Sequence, residues 1–182
     1  MPRTLLVMRH AKSSWKEERL PDHDRPLTKR GRKAARRIGE ELLARHLTPD
    51  IVLCSTAERA RLTVRQFIKG SHYAGNVLFD PALYLSGTPE HLHALQQLPD
   101  TAYTALLVGH NPSLEELVAL FTGHETRLPT ATVACLMLPI DNWNQISEGT
   151  RGSLGFVLSP KELETVSEGS PANGSPENQG EQ

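Results

Sequence analysis

The sequence predicts a three-layer α/β/α fold with a mostly parallel central sheet. Two observations carry this. Short apolar runs alternate with longer amphipathic stretches from residue 4 to residue 121, the pattern of strands covered on both faces by crossover helices. Of the 182 residues, 38% are hydrophobic, and a chain of this length buries roughly 70% of its unfolded surface without a disulfide or metal staple.

The elements follow in order. Thr4–Met8 is a short buried strand. Thr28–His46 is an amphipathic helix with Thr28 at its N-cap. At about 100° per residue, Gly31, Ala34, Ala35, Ile38, Gly39 and Leu42 fall on one side and Lys29, Arg30, Arg32, Lys33, Arg36 and Arg37 on the other. Ile51–Cys54 is a second strand and Ala57–Ile68 a second helix, followed by a short strand at Val77–Phe79. Thr88 is expected to cap a helix with Pro89 in its first position, where proline is tolerated. Tyr103–Val108 is a strongly buried strand, after which Asn111 is expected to cap a helix beginning at Pro112. Ala131–Leu138 and Leu154–Leu158 read as later strands forming an antiparallel edge. From Glu164 the composition changes: ETVSEGSPANGSPENQGEQ holds one aliphatic side chain larger than alanine, Val166. Such a segment cannot bury enough surface to offset its ordering entropy, so residues 1–163 are expected to form one domain and 164–182 a disordered tail.

The net charge of −1 is unevenly spread. Residues 1–65 carry 16 Lys and Arg against 8 Asp and Glu, residues 66–160 carry 3 against 8, and residues 161–182 carry 1 against 5. A basic first third in a near-neutral chain points to an anionic ligand rather than a nucleic-acid coat. The cations of KRGRKAARR lie opposite an apolar stripe, as on any solvated helix face, so no nucleic-acid partner is expected. Cys54 and Cys135 lack the spacing of a zinc site or redox pair and fit a reducing compartment. The longest apolar run, Val133–Leu138, has six residues, against the roughly 20 a membrane helix needs. Only a short apolar stretch precedes Arg9-His10, so neither a membrane partner nor a signal peptide is expected and the default address is cytoplasmic. His91 and His93 sit about 200° apart around a predicted helix and cannot share a metal; no metal or cofactor is expected. No Walker loop, GxSxG elbow or dinucleotide fingerprint is present. The oligomeric state stays open.

In an open parallel sheet, ligands bind beyond the carboxyl ends of the strands. Three such ends carry cations here: Arg9-His10 after the first strand, Arg59 one turn beyond Cys54-Ser55, and Gly109-His110-Asn111 opening a helix. Two guanidiniums, two imidazoles and a helix N-terminus around one crevice make a phosphate pocket, because arginine forks match phosphate oxygens and helix N-termini attract anions. Taken singly, each residue has a bland reading as a structural histidine or a solvated arginine. The coincidence at three strand ends, with Arg9 and His10 directly after a purely apolar strand, raises the functional one.

At these residues the chain resembles a family. LLVMRHAKSSW is similar to the Arg-His-Gly signature of the histidine phosphatase (phosphoglycerate-mutase-like) superfamily, and DHDRPLTKRGRKAA, PDIVLCSTAERARLT and LLVGHNPSLEELV continue the family's order. The region around Trp143 and SLGFVLSPKEL resembles the short SixA-type phosphohistidine phosphatases, which have no cap domain. The resemblance implies that His10 is the nucleophile, acting as a neutral imidazole whose other nitrogen a backbone carbonyl holds. It implies that Arg9 and Arg59 clamp phosphoryl oxygens, that His110 completes a metal-free cage, and that Arg25 lines the entrance. Ser13 stands at the position of a signature hydroxyl, which implies a phosphate contact; read alone, it is equally a loop serine facing water.

Departures bear on substrate. Ala11 replaces the signature glycine, and Lys16 stands where mutase-type members have a phosphate-contacting asparagine. The family's downstream carboxylate acid is missing from PALYLSG, and Glu90 is expected on the following helix, unassigned. Phosphomonoester cleavage gains about 10²–10⁴-fold from a positioned acid, whereas a nitrogen-protonated phosphoramidate leaves as neutral imidazole. The expected partner is therefore a phosphohistidine-bearing protein such as a phosphotransfer domain. The alternatives are a small phosphorylated molecule or, without turnover, a phosphoprotein that is only bound.

Overall fold

The computed structural model describes residues 1–163; the tail expected over 164–182 lies outside the described residues. The elements are β1 (Arg3–Arg9), α1 (Lys29–Ala44), β2 (Ile51–Ser55), α2 (Glu58–Ser71), β3 (Asn76–Asp80), α3 (Thr88–Gln96), β4 (Thr104–Gly109), α4 (Ser113–Thr122), β5 (Val133–Leu138) and β6 (Ser153–Leu158). The strands form one sheet in the order β3-β2-β4-β1-β5-β6. β1 to β4 run parallel, while β5 lies antiparallel to β1 and β6 antiparallel to β5. Helical crossovers return each chain segment to the same end of the sheet and so produce the parallel pairs.

Strand pleating sorts the apolar residues into two cores. Leu5 and Val7 of β1, Leu53 of β2 and Leu107 of β4 pack with Leu92 and Leu95 of α3 and Leu114, Leu117 and Phe121 of α4. On the other face Leu6, Met8, Val52, Cys54 and Val108 pack with Ala35, Ile38 and Leu42 of α1 and Val64 and Phe67 of α2. Burying each large aliphatic side chain contributes about 1.5–3 kcal/mol, so neither layer can be peeled from the sheet cheaply. α1 and α2 touch backbone to backbone: a Cβ on Gly39 would sit 2.4 Å from Phe67 O, and one on Gly70 2.1 Å from Arg36 O.

Thr28 caps α1, its hydroxyl accepting from Gly31 N at 2.9 Å. Two other caps differ from expectation. α3 is capped at Gly87, not Thr88, because the Glu90 carboxylate reaches back to accept from Gly87 N at 3.0 Å. α4 begins at Ser113, and Asn111 does not cap it: its Nδ2 donates to Glu115 Oε1 at 2.9 Å and Leu128 O at 3.0 Å, and its Oδ1, the atom a cap would use, has no partner among the described residues. β5 begins two residues later than expected. Ala131 is left-handed (φ 62°) and donates its N–H to Arg9 O and His10 O, both at 3.1 Å, which ties this turn to the end of β1 instead of extending the strand.

Candidate active site

Sheet register brings the strand ends to one level. Arg9 pairs with Gly109 and Cys54 with Val108, so Arg9-His10, Ser55 and His110 emerge side by side. The loop after β1 is braced from both helices on its face. Ala11 N donates to Thr63 Oγ1 of α2 at 2.9 Å, and that hydroxyl donates to Arg59 O at 2.6 Å. Lys12 O accepts from Thr28 N at 2.9 Å. A Cβ on Gly31 would lie 2.3 Å from Lys12 O, so only glycine lets the first turn of α1 meet the loop this closely.

His10, Arg59 and His110 converge. His10 Nδ1 lies 2.8 Å from Ala11 O; a carbonyl only accepts, so Nδ1 carries the proton and Nε2 presents its lone pair. Arg59 Nε donates to that Nε2 at 3.3 Å. The His10 and His110 rings are 5.1 Å apart, and His110 Nε2 meets Ser55 Oγ at 2.8 Å. Burial, then the guanidiniums of Arg59, Arg9 and Arg25, drive the His10 pKa down to about 4 against the opposing hydrogen bond to Ala11. Burial, His10 and Arg59 drive His110 down to about 3. Both imidazoles are neutral at physiological pH.

Arg9 Nε, Arg25 Nη1 and His110 Nδ1 are buried and have no hydrogen-bond partner among the described residues. The two arginine nitrogens can only donate, and a buried donor left unpaired costs about 1–3 kcal/mol. Arg9 also donates from Nη1 to Leu128 O at 3.1 Å. Arg25 is buried, donates from Nε to Asp22 Oδ1 at 2.9 Å and stacks on exposed Trp15 at 3.4 Å. Ser13 is half-buried on the same loop, bridged through its backbone to Leu27. Among the described residues no group of three His, Cys, Asp or Glu is arranged to hold a metal ion. His91 is buried, its Nδ1–H donating to Gly87 O at 2.7 Å, whereas His93 is exposed.

A carboxylate does stand at the site, from a place the sequence reading missed. Asp22 accepts from Arg59 Nη2 at 3.0 Å and from the Tyr84 hydroxyl at 2.8 Å, and its carbonyl accepts from Arg59 Nη1 at 2.6 Å. Burial would raise its pKa, but Tyr84, Arg59 and Arg25 outweigh that and hold it below the usual carboxylate range. Tyr84, in the acid-free segment PALYLSG, stands edge-on to His110 at 5.7 Å. The signal available in sequence was the i, i+3 spacing of Asp22 and Arg25.

A family model for the histidine phosphatase superfamily (branch 1) matches residues 5–83. The uncharacterised chloroplastic protein At3g52155 of Arabidopsis thaliana is 33% identical over 153 residues, 79% of this chain and 70% of that protein. The uncharacterised protein Rv1276c of Mycobacterium tuberculosis is 31% identical over 160 residues, 82% of this chain and 98% of that protein. A candidate phosphohistidine phosphatase SixA from Nakamurella multipartitia matches with a TM-score of 0.77 at 29% identity, covering 88% of this chain and 97% of its own. Among the described residues no helix is long and apolar enough to cross a membrane, and none of them forms a separate cap domain. The likeness thus runs through nearly the whole described body, and the chain belongs to the histidine phosphatase superfamily as a phosphatase with the SixA form of the fold.

Proposed function

We propose that His10 Nε2 takes a phosphoryl group from phosphohistidine on a signalling or phosphotransfer protein and passes it to water. The observation that carries this reading is the state of the two kinds of group at the site. The nucleophile is a neutral imidazole with its lone pair turned to Arg59, while the carboxylate beside it is held ionised by three donors. An ionised carboxylate cannot protonate an alkoxide leaving group, which costs a phosphomonoesterase its acid; a protonated phosphoimidazole needs no such proton. In this reading Arg9 and Arg59 hold the phosphoryl oxygens, His110 donates from Nδ1, and Arg25 lines the entrance. Fixed positive charge around the transferring group supplies the stabilisation.

The test is phosphate release from a histidine-phosphorylated phosphotransfer domain in EDTA. Wild-type protein is expected to release phosphate, and His10→Ala to lose about 10³-fold or more in kcat. Unimpaired release by that variant would refute the nucleophile assignment. A higher kcat/KM on sugar or nucleotide phosphates than on phosphohistidine would make the protein a small-molecule phosphomonoesterase instead.

A further inference from the structure

Five side chains close a circuit at the mouth of the site. His10 meets His110 at 5.1 Å and His110 meets Tyr84 at 5.7 Å between ring centroids. The Tyr84 hydroxyl donates to Asp22 Oδ2 at 2.8 Å, Arg59 Nη2 donates to the same oxygen at 3.0 Å, and Arg59 Nε returns to His10 Nε2 at 3.3 Å. His10 is the buried pole of this circuit. Asp22 is the exposed pole, its side chain 42% accessible. In-line transfer to His10 Nε2 sends the leaving group away from His10, out of the buried end of the site, and Asp22 is the exposed carboxylate joined to His10 through Arg59.

We infer that Asp22 is the leaving-group residue: its carboxylate accepts the N–H of a protonated substrate imidazole and thereby selects phosphoramidates over phosphomonoesters. This rests on the phosphohistidine reading above and names the residue that enforces it. A carboxylate offers about four acceptor positions, and Arg25 Nε, Arg59 Nη2 and the Tyr84 hydroxyl occupy three. All three partners donate, so the group can only accept. A fixed anion repels a departing alkoxide but stabilises a ring that arrives with a proton on its free nitrogen.

The step balances as follows. The substrate N–P bond breaks and its electron pair stays on the ring nitrogen. The ring leaves as neutral imidazole with its remaining N–H on Asp22. The new N–P bond forms at His10 Nε2, while Nδ1–H stays on Ala11 O. Water then attacks phosphorus, the His10–phosphorus pair returns to Nε2, and both water protons leave on dihydrogen phosphate.

The charged and titratable groups facing Asp22 are Arg25 on its own loop, Arg59 of α2, Tyr84 beyond β3 and His110 beyond β4; His23 and Asp24 pair with each other at 3.0 Å. Asp22→Asn keeps a carbonyl acceptor and removes the charge. Wild type and Asp22→Asn are compared on a histidine-phosphorylated domain and on an aryl phosphate across the pH range. The ratio of kcat/KM for phosphohistidine to that for aryl phosphate is expected to fall about ten- to a hundredfold in the variant. The alkaline limb on phosphohistidine is expected to move down by about one pH unit, because the substrate ring, ordinarily near 6.5, loses the anion that keeps it protonated. Equal losses on both substrates with an unmoved limb would reduce Asp22 to a holder of Arg25 and Arg59 and overturn the inference. Wild-type protein active on aryl phosphate but inert on phosphohistidine would instead overturn the reading on which it rests.

Discussion

His10 and Asp22 flank one guanidinium, that of Arg59, yet their surroundings shift them for opposite reasons. At the buried pole, desolvation is the largest influence and strips His10 of its charge; the arginines add to the effect. At the exposed pole, desolvation works toward a neutral carboxyl but loses to Tyr84, Arg59 and Arg25, and the charge stays. The same cation thus keeps a base unprotonated and an acid ionised. A nitrogen that accepts a phosphoryl group needs a free lone pair, and the neutral state of His10 leaves one.

Removing Arg59 breaks the comparison most severely. Arg59→Ala is expected to lower kcat/KM by about 10²–10³-fold, the usual cost of losing a preorganised charge at a transferring group. Its His10 pKa should rise only part of the way toward 6.5, because burial is the main cause of the depression. An NMR titration of the His10 ring checks this; a full return to the free-imidazole value would show that Arg59, not burial, sets the ring's protonation state.

The buried pole can be read from stability. An unfolded imidazole titrates near 6.5, whereas His10 and His110 titrate at about 4 and about 3 in the folded protein. Above pH 6.5 both states are neutral and the contribution is fully present. Below it the unfolded chain binds protons that the folded chain refuses, so stability falls as pH drops through 6.5 toward 3, by a few kcal/mol for the pair. Tm is expected to decline over that window in wild type and to decline less steeply in His110→Gln. Parallel slopes would mean that His110 titrates normally.

A smaller effect comes from the brace beneath the site. Thr63→Val removes the acceptor of Ala11 N and the donor to Arg59 O while keeping the shape. It should cost about 1–2 kcal/mol for the buried N–H left unpaired, seen as a fall of about 2–8 °C in Tm. A drop in kcat with little change in KM is expected alongside, because the loop that carries His10 loosens.

Much of this site could be read along the chain. Arg9-His10, Arg59 and His110 each lie at a strand end or in a helix's first turn, and the ends of parallel strands meet, so three separate stretches of chain could be expected at one crevice. The two misplaced caps show where local reading fails. Thr88 and Asn111 are both good N-cap residues, but the Glu90 side chain caps α3 one residue earlier, at Gly87, and Asn111 is anchored through its Nδ2 to Glu115 and Leu128, which turns its Oδ1 away from the helix amides. Asp22 was invisible for a related reason: on a polar loop rich in charge, no periodicity separates a carboxylate that faces solvent from one that faces Arg59.

Periodicity is written between neighbours, so residue order was enough for the strands, the helices, the two-sided core and the basic strand ends. The circuit through Asp22 is not local. It joins Asp22 to Arg59 across 37 residues and to Tyr84 across 62, and it exists because the loop after β1 and the loop after β3 fold over the same sheet end. Which acid meets which base there depends on loop path and desolvation, quantities that arise only once the chain has closed on itself.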